Sequence, residues 1–303
     1  MLFPPQEVEP AKANLEEFIN LLRAEGVTVR RPDIINFRKK YSTLDWSSSG
    51  YCTASPRDIL LVIGNEIIEA NMTWRSRYFE VYAYRNLLKE YFEKGAKWTA
   101  VPKARLRDEL YDDAYEVPEK GDRRYVINES EPTFDAADFV RCGKDLFVQR
   151  SNTTNYLGIE WLRRHLGAEY SIHEIISRYP QPMHIDTTFV PLAPGKVLVN
   201  PEFLNQEQLP SIVRRWDILE APQPVPSLGI AAQMSSTWLS MNLLSLDEER
   251  VIVEKRQEPL VQALKDWGFK PIPCNFESYY GFGGSFHCAT ADIRRRGKLE
   301  SYF

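Results

Sequence analysis

A pattern that recurs four times along the chain constrains its fold more than any other feature of the sequence. Two short apolar segments joined by a tight turn are followed by an amphipathic segment with helical spacing and then by another short apolar segment. Apolar alternation on both sides of a turn predicts a β-hairpin, and the amphipathic segment predicts a helix. Each copy therefore predicts one ββαβ module.

The four copies follow one another with loops between them. They span Arg57–Val101, Phe134–Ile176, His184–Ala221 and Met241–Cys274. In the second and third copies the first strand is predicted at Phe134–Phe139 and His184–Val190, and the third copy has a short helix near Leu209–Arg215. The predicted fold class is α/β, and an ordinary α+β fold without a repeat is the alternative.

The two ends of the chain have the composition of an incomplete fifth module. A helix at Ala13–Ala24 and a strand at Val27–Arg31 are predicted near the N-terminus, and a strand at Ser285–Ile293 near the C-terminus. If the modules close into a ring, the last strand meets the first module. No clear domain boundary interrupts this order, so we expect a single domain over residues 1–303.

Composition disfavours several classes of partner. The 303 residues carry a formal net charge of −4 with a pI near 5.8, and no long basic block could follow a phosphate backbone. No apolar run approaches the roughly 20 residues that cross a bilayer, and the first residues lack the regions of a secretion signal. We therefore expect a soluble, cytoplasmic protein without nucleic-acid or membrane partners.

The four cysteines are candidates for reactive thiols. Cys52, Cys142, Cys274 and Cys288 lie far apart and form no C-x-x-C pair. This spacing disfavours a disulfide framework or a structural metal site. Each thiol is then either a small buried hydrophobic group or a nucleophile.

Closure of the repeats into a ring would place equivalent strand positions around one centre. The reactive or charged residues at these positions are Asp135, Asp138, His184, Asp186 and Cys288. A thiolate is a nucleophile, an imidazole moves protons and a carboxylate orients an imidazole, so this set indicates covalent catalysis. A further carboxylate suits a planar guanidinium cation, which leads to the hypothesis of an arginine-like substrate.

Structural roles are the alternative for the same residues. Cys288 has the apolar neighbours of a core residue, His184 fits a hydrogen-bonded structural histidine, and paired acids often cap turns. His287 adjoins Cys288, but neighbours on a strand point to opposite faces, so His287 is predicted to be a poor general base. Joint placement on corresponding strands is what favours catalysis.

Several long motifs resemble the arginine:glycine amidinotransferase family of the pentein superfamily. They are Arg57–Leu60, Gly64–Ala70, Phe134–Phe139, Asn155–Trp161, Met183–Asp186, Gly284–Cys288 and Arg294–Gly297. The resemblance covers nearly the whole chain and implies a five-bladed α/β propeller of pseudo-repeated ββαβ modules. Within the family, the chain is most similar to the amidinotransferase of saxitoxin-type biosynthesis in cyanobacteria.

The resemblance also implies roles for individual residues. Cys288 would be the nucleophile, His184 the acid and base, and Asp135 its carboxylate partner. The expected substrate-binding residues are Asp186, Asp138, Ser235, Ser236, Met183 and Phe203. The implied reaction is a ping-pong transfer of the amidino group of L-arginine to a small-molecule amine through an amidino-cysteine. It releases ornithine and needs neither metal nor organic cofactor. Because relatives often dimerise, a homodimer is also expected.

Two departures from the family pattern affect this expectation. Phe203 stands where the glycine-using enzymes have a carboxylate-binding arginine, so a larger amine of secondary metabolism is expected as acceptor in place of glycine. The first module is expected to lack the N-terminal strand of the family. An arginine deiminase-like hydrolase and an inactive, truncated paralogue acting as a binding protein are the alternative functions.

Overall fold

The computed structural model describes residues 3–119, 122–228 and 236–297. These residues form a mixed α/β fold in which three-stranded sheets alternate with helices. None of the described helices combines the length and the apolar composition needed to cross a membrane.

Four three-stranded sheets confirm the predicted repeat. In each sheet the first two strands form an antiparallel hairpin, and the third strand runs parallel to the second. The strands are β3 Leu60–Ile63, β4 Glu66–Glu69 and β5 Lys97–Ala100; β6 Phe139–Cys142, β7 Asp145–Val148 and β8 Ser171–Glu174; β9 Phe189–Ala193, β10 Lys196–Val199 and β11 Asp217–Glu220; and β12 Leu244–Ser245, β13 Arg250–Glu254 and β14 Lys270–Cys274. A separate hairpin, β1 Lys40–Ser42 with β2 Ser47–Ser49, was not predicted.

The second strand of each module occupies the middle of its sheet. In the first module Leu61 pairs with Ile68, and Ile68 pairs in turn with Thr99. The middle strands are buried almost throughout, as is typical of strands covered on both faces. Gly64 turns the first hairpin with a φ of 56°, a conformation that favours glycine.

The α-helices among the described residues are α1 Pro5–Ala24, α2 Pro56–Ile59, α3 Arg85–Glu93, α4 Tyr156–Leu166 and α5 Glu258–Asp266. Helices α3, α4 and α5 are the predicted module helices. In the third module two short 3-10 turns, Gln206–Gln208 and Val213–Arg215, replace the predicted helix.

Two predicted strands in the second and third modules begin later than the sequence suggested. Strand β6 starts at Phe139 and β9 at Phe189, and 3-10 turns at Ala136–Asp138 and Ile185–Thr187 precede them. The reason is local, because backbone hydrogen bonds close each turn before the strand ladder begins, as in Thr188 N–H to Ile185 O at 2.9 Å. Helix α2 takes the same place ahead of β3.

The strands predicted at Val27–Arg31 and Ser285–Ile293 are not present. The segment around Cys288 forms a turn in which Ala289 N–H donates to Ser285 O at 2.9 Å. Side chains elsewhere in the chain bind the backbone groups that a strand ladder would use, since Asn242 accepts from the N–H groups of Ser285 and Cys288 and Arg57 donates to His287 O. Residues 3–119, 122–228 and 236–297 therefore contain four modules, and neither a fifth blade nor a closed sheet is confirmed.

Aromatic packing brings α1 against the C-terminal segment. The ring of Phe18 lies 5.1 Å from that of Phe276 and 5.0 Å from that of Phe286, both edge-on. All three side chains are buried. The segment that carries Cys288 is therefore held by apolar contacts with the first helix.

Candidate active site

Cys288 lies on a buried turn that Asn242 holds in place. The Oδ1 atom of Asn242 accepts hydrogen bonds from the backbone N–H groups of Ser285 and Cys288, both at 3.1 Å, and its Nδ2 lies 3.2 Å from the Cys288 Sγ. Gly284 is required beside them, since a Cβ there would stand 2.3 Å from the Cβ of Cys288. Asn242 was missed by the sequence analysis.

Arg57 fixes the same turn from the first module. Its Nε donates to His287 O at 3.2 Å, and its guanidinium also binds Asp292 at 2.8 Å. The backbone N–H of Arg57 additionally reaches Cys288 O at 3.4 Å. The first module and the C-terminal segment are therefore joined beside the thiol.

His184 is held between two buried carboxylates. Its Nε2 lies 3.1 Å from Asp135 Oδ2, and its Nδ1 lies 3.6 Å from Asp58 Oδ1. His184 has a φ of 60°, which is rare for a residue with a side chain and is typical of functional sites. Burial lowers the pKa of His184, but Asp58 and Asp135 outweigh that effect and raise the pKa well above 6.5, so the imidazole is cationic.

Asp58 is a second residue that the sequence analysis missed. Its Oδ2 pairs with Arg77 at 2.7 Å, whereas its Oδ1 accepts no hydrogen bond from the described residues. Burial raises the pKa of Asp58. The repeat itself could have revealed it, because Asp58, Asp138 and Asp186 all lie on the helical turn that precedes the first strand of a module.

Asp186 lies beside the thiol and is bound by His287. The Asp186 Oδ2 is 3.6 Å from Cys288 Sγ and 2.7 Å from His287 Nδ1, and its Oδ1 has no partner within the described part of the chain. The placement of His287 on a strand face opposite Cys288 was wrong, because both residues lie on a turn. Burial and the charge of Arg57 lower the pKa of His287, so its imidazole is neutral.

The thiol itself is protonated in the resting site. Burial, followed by the charge of Asp186, raises the pKa of Cys288 to about 12, and the hydrogen bond with His184 opposes this shift. Because the thiolate is the reactive form, the site needs an added positive charge or a proton acceptor before Cys288 can attack.

Asp138 is a buried carboxylate of the second module. Its Oδ2 accepts hydrogen bonds from the hydroxyls of Ser151, Thr153 and Thr154 at 2.6–2.9 Å, whereas no described residue binds its Oδ1. Burial raises the pKa of Asp138 to about 6. The charges of His184 and Asp135 thus act on Asp138, whereas the side chains that bind it belong to the second module.

The other expected substrate-binding residues are more dispersed. Phe203 is buried and stacks on Tyr179 with ring centres 4.5 Å apart, within an apolar cluster of the third and fourth modules. Met183 is 51% exposed next to His184. The hydroxyl of Ser236 accepts a hydrogen bond from the Trp238 N–H at 3.2 Å, and Ser235 falls outside the described residues.

The structure therefore brings four of the expected residues together and adds one. A buried thiol, a cationic imidazole and carboxylates from three modules meet at one place; the residues are Cys288, His184, Asp135, Asp186 and the unexpected Asp58. The ligand atoms of Asp58, His184 and Cys288 lie within 4.8 Å of one another, close enough to share one metal ion. This arrangement is typical of enzymes that act through a cysteine.

Among known proteins, the chain is similar to amidinotransferases. No protein-family model matches the chain. An L-arginine:L-lysine amidinotransferase of Pseudomonas savastanoi pv. phaseolicola is 52% identical over 99% of this chain and 83% of its own length. The mitochondrial glycine amidinotransferase of Gallus gallus is 48% identical over 99% of this chain and 73% of its own. The solved structure of an amidinotransferase from the saxitoxin biosynthetic pathway of Microseira wollei has a TM-score of 0.97 and 59% identity, covering 100% of this chain and 85% of that one.

The chain belongs to the amidinotransferase family. The resemblance inferred from its motifs is thereby confirmed. A dimethylarginine dimethylaminohydrolase structure is only 14% identical, with a TM-score of 0.53 over 78% of this chain and 75% of that one, and shows a shared fold alone. The fold is accordingly mixed α/β with pentein-like neighbours.

Proposed function

We propose that this amidinotransferase moves the amidino group of L-arginine to an amine acceptor through an amidino-cysteine on Cys288. One observation carries the proposal. Asp58 Oδ1 and Asp186 Oδ1 are buried carboxylate oxygens that accept no hydrogen bond from the described residues, and both carboxylates flank the thiol and the imidazole. A guanidinium group supplies N–H donors in a plane and a positive charge, which is what such oxygens require.

Substrate binding activates the nucleophile in this proposal. The resting thiol has a pKa near 12 because it is buried beside carboxylates. A guanidinium cation between Asp58 and Asp186 adds positive charge next to the sulfur, which favours the thiolate. Water is excluded in the same step, which strengthens the attraction.

In the first half-reaction, the Cys288 sulfur bonds to the guanidinium carbon. The bond from that carbon to the side-chain nitrogen of arginine then breaks, and the His184 imidazolium protonates the departing nitrogen, so that ornithine leaves. The proton of the Cys288 thiol passes to solvent as the guanidinium binds, so His184 is a neutral imidazole once ornithine has left. Asp135 keeps the imidazole in position through its Nε2 contact of 3.1 Å.

In the second half-reaction, the acceptor amine attacks the amidino carbon. His184, now a neutral imidazole, accepts the proton released by the amine, the carbon–sulfur bond breaks, and the departing Cys288 thiolate takes up one proton from solvent to return as a thiol. Proton balance is kept because each half-reaction moves one proton through His184. Neither half-reaction requires a metal or an organic cofactor.

The acceptor is proposed to be a larger amine of secondary metabolism rather than glycine. Phe203 occupies the position at which the family resemblance expects a carboxylate-binding arginine, and its ring is buried against Tyr179. The neighbouring Glu202 accepts a hydrogen bond from the Trp238 indole at 2.8 Å. The surroundings of Phe203 therefore contain a carboxylate and aromatic rings. Such a surface favours an amine over a carboxylate.

We also propose that the chain is a single domain and that its modules form the ring implied by the family resemblance. The support is the junction at the thiol, where Arg57 of the first module binds the C-terminal turn and α1 packs against it. In this arrangement α1 and the C-terminal segment stand in the place of a fifth module. Met183, Asp138, Ser235 and Ser236 are proposed to line the donor site around it.

The test separates transfer from hydrolysis. Protein incubated with L-arginine alone should release one ornithine per chain and gain the mass of one amidino group, mapped to Cys288 by peptide mass spectrometry. Added amines should then restore ornithine turnover. Cys288→Ala should abolish the adduct, whereas Cys142→Ala, which removes a buried thiol in β6, should retain it. Release of citrulline independent of any amine would instead establish a hydrolase, and a folded protein that gives no adduct would refute the proposal.

A further inference from the structure

Three buried side chains from distant parts of the sequence converge at the thiol with the chemistry of a metal site. Asp58 comes from α2, His184 from the segment ahead of the turn Ile185–Thr187, and Cys288 from the C-terminal turn. Their ligand atoms lie within 4.8 Å of one another. All three side chains are at least 90% buried, at 1%, 7% and 3% exposure.

We propose that Asp58, His184 and Cys288 form a Zn²⁺ site and that the bound ion inhibits the enzyme by occupying the place of the substrate guanidinium. The binding of zinc stands on geometry alone. The inhibition rests on the proposed function, because it assumes that arginine binds between the same carboxylates.

The donor set matches the preference of zinc. Thiolate sulfur, imidazole nitrogen and carboxylate oxygen are its usual ligands, and three protein ligands with an open fourth position are a common arrangement. Zinc–ligand bonds of about 2.0–2.3 Å place tetrahedral ligands about 3.5 Å apart, so the present spacing needs to contract by roughly 1 Å.

The hydrogen bonds around the three residues leave the required atoms available. Arg77 binds Asp58 Oδ2, and Asp58 Oδ1 accepts no hydrogen bond from the part of the chain that is described. Asp135 holds His184 at Nε2, which leaves Nδ1 facing Asp58 at 3.6 Å. A carboxylate on the far nitrogen of a zinc-bound histidine orients the ring and raises its basicity.

Charge and ligand softness favour zinc over the abundant hard cations. Coordination requires the Cys288 thiol and the His184 Nδ1 each to release a proton to solvent. The thiolate and imidazole then disfavour Mg²⁺ and Ca²⁺, which prefer oxygen ligands. Asp186, 3.6 Å from the sulfur, supplies a fourth ligand or a second negative charge beside the ion.

The first test measures metal binding without any turnover. Metal-free protein is titrated with Co²⁺ alone and with Zn²⁺ alone, and the Co²⁺ complex should show a sulfur-to-cobalt charge-transfer band that Zn²⁺ removes. Binding should saturate at one ion per chain. Cys288→Ala should abolish the band and weaken Zn²⁺ binding at least 100-fold, whereas Cys142→Ala, with its thiol buried in β6, should bind as the parent protein does.

A second measurement keeps the proposal testable if a variant does not fold. In the unmodified protein, Zn²⁺ should slow alkylation of Cys288 by iodoacetamide and leave that of Cys52 unchanged, as mapped by peptide mass spectrometry. A Co²⁺ complex without the sulfur band, or Zn²⁺ binding that survives in folded Cys288→Ala, would place the ion elsewhere and overturn the proposal.

The inhibitory part is tested by competition. With an acceptor amine in excess, so that the amidino-cysteine turns over, the Zn²⁺ concentration that halves ornithine release should rise with the concentration of L-arginine when both bind one place. If the ion binds with the sulfur band but arginine does not displace it, the metal site stands and the inhibition is refuted. If the protein also forms no amidino adduct in the absence of metal, it is the proposed function that has failed, not the zinc site.

Discussion

Asn242 is the residue whose replacement should separate the stability of the Cys288 turn from the reactivity of the thiol. In Asn242→Ala the backbone N–H groups of Ser285 and Cys288 lose their acceptor, and the Cys288 sulfur loses a donor 3.2 Å away. Asn242 is 1% exposed, so water does not readily replace the amide. We expect the variant to be both less stable and slower to form the amidino-cysteine.

The two magnitudes follow from the number and kind of hydrogen bonds removed. A buried donor left without a partner costs about 1–3 kcal/mol, so two of them should lower the free energy of unfolding by about 2–6 kcal/mol. A hydrogen bond to a charged group contributes about 1.5–3 kcal/mol, which corresponds to a rate loss of roughly 10- to 100-fold once the sulfur carries its charge.

Asn155 offers a matched control far from the thiol in the sequence. It is also fully buried, and its Oδ1 accepts from two backbone N–H groups, those of Thr133 at 3.1 Å and Gly158 at 2.9 Å. Asn155→Ala should therefore lose a comparable amount of stability. Its adduct formation per folded molecule should remain close to that of the parent protein.

The assay combines urea unfolding with single-turnover formation of the amidino adduct, followed by mass spectrometry under conditions where each protein is folded. A second variant, Asn242→Asp, keeps an acceptor for the two backbone groups but replaces the donor facing the sulfur with an oxygen. Adduct formation should fall further in Asn242→Asp than in Asn242→Ala. Equal rates in the parent protein, Asn242→Ala and Asn242→Asp would refute the assigned role of the Asn242 side chain.

Three further predictions concern the same site. Gly284→Ala should destabilise the fold by about 1–3 kcal/mol and suppress adduct formation, because the new Cβ would stand 2.9 Å from the Cys288 Sγ. The pKa of His184 is higher in the folded protein than its ordinary value of 6.5. The charged imidazole therefore stabilises the folded state fully below pH 6.5, and this stabilisation is lost as the pH rises through the folded pKa. The difference in unfolding free energy between the parent protein and His184→Gln, measured by urea titration, should therefore decrease as the pH rises. Burial raises the pKa of Asp292, but the charge of Arg57 contributes to a net lowering of this pKa below 3.8. The loss of stability in Arg57→Gln should therefore be largest above pH 3.8 and should vanish at low pH.

Each of these predictions has a discriminating control. Gly283→Ala imposes a φ of 92° on alanine but meets no atom within 4 Å, so it should lose stability without blocking the thiol. A stability difference for His184→Gln that grows with pH would contradict the assigned imidazolium. A loss in Arg57→Gln that is independent of pH would show that packing, not the ion pair with Asp292, holds the turn.

The repeat could be predicted from the sequence because its signal is local. Each module contains a hairpin of apolar residues and an amphipathic helix, and both periodicities are visible within about fifteen residues. Strands β4, β7, β10 and β13 lie within the predicted segments for this reason. The strands predicted at the chain ends failed because pairing depends on distant partners, and the sequence pattern alone does not reveal which partner is present.

The site was predictable to the extent that it uses reactive side chains. Cys288, His184, Asp135 and Asp186 were recognised as a chemical set, and the structure brings them together. Asn242 was missed because an amide that binds a turn has no distinctive sequence signal. The geometry around His287 was wrong since the residues that bind its backbone, Arg57 and Asn242, are far from it in the sequence.

The polar groups of the site occupy equivalent positions in the four modules. Each module presents its polar group one to three residues before the first strand, on or next to a helical turn. Three modules present a carboxylate there, from Asp58, Asp138 and Asp186. The fourth presents the neutral Asn242, whose amide faces the Cys288 sulfur at 3.2 Å. A fourth carboxylate at this place would repel the thiolate that the reaction requires, so the break in the acidic pattern marks the module that serves the nucleophile.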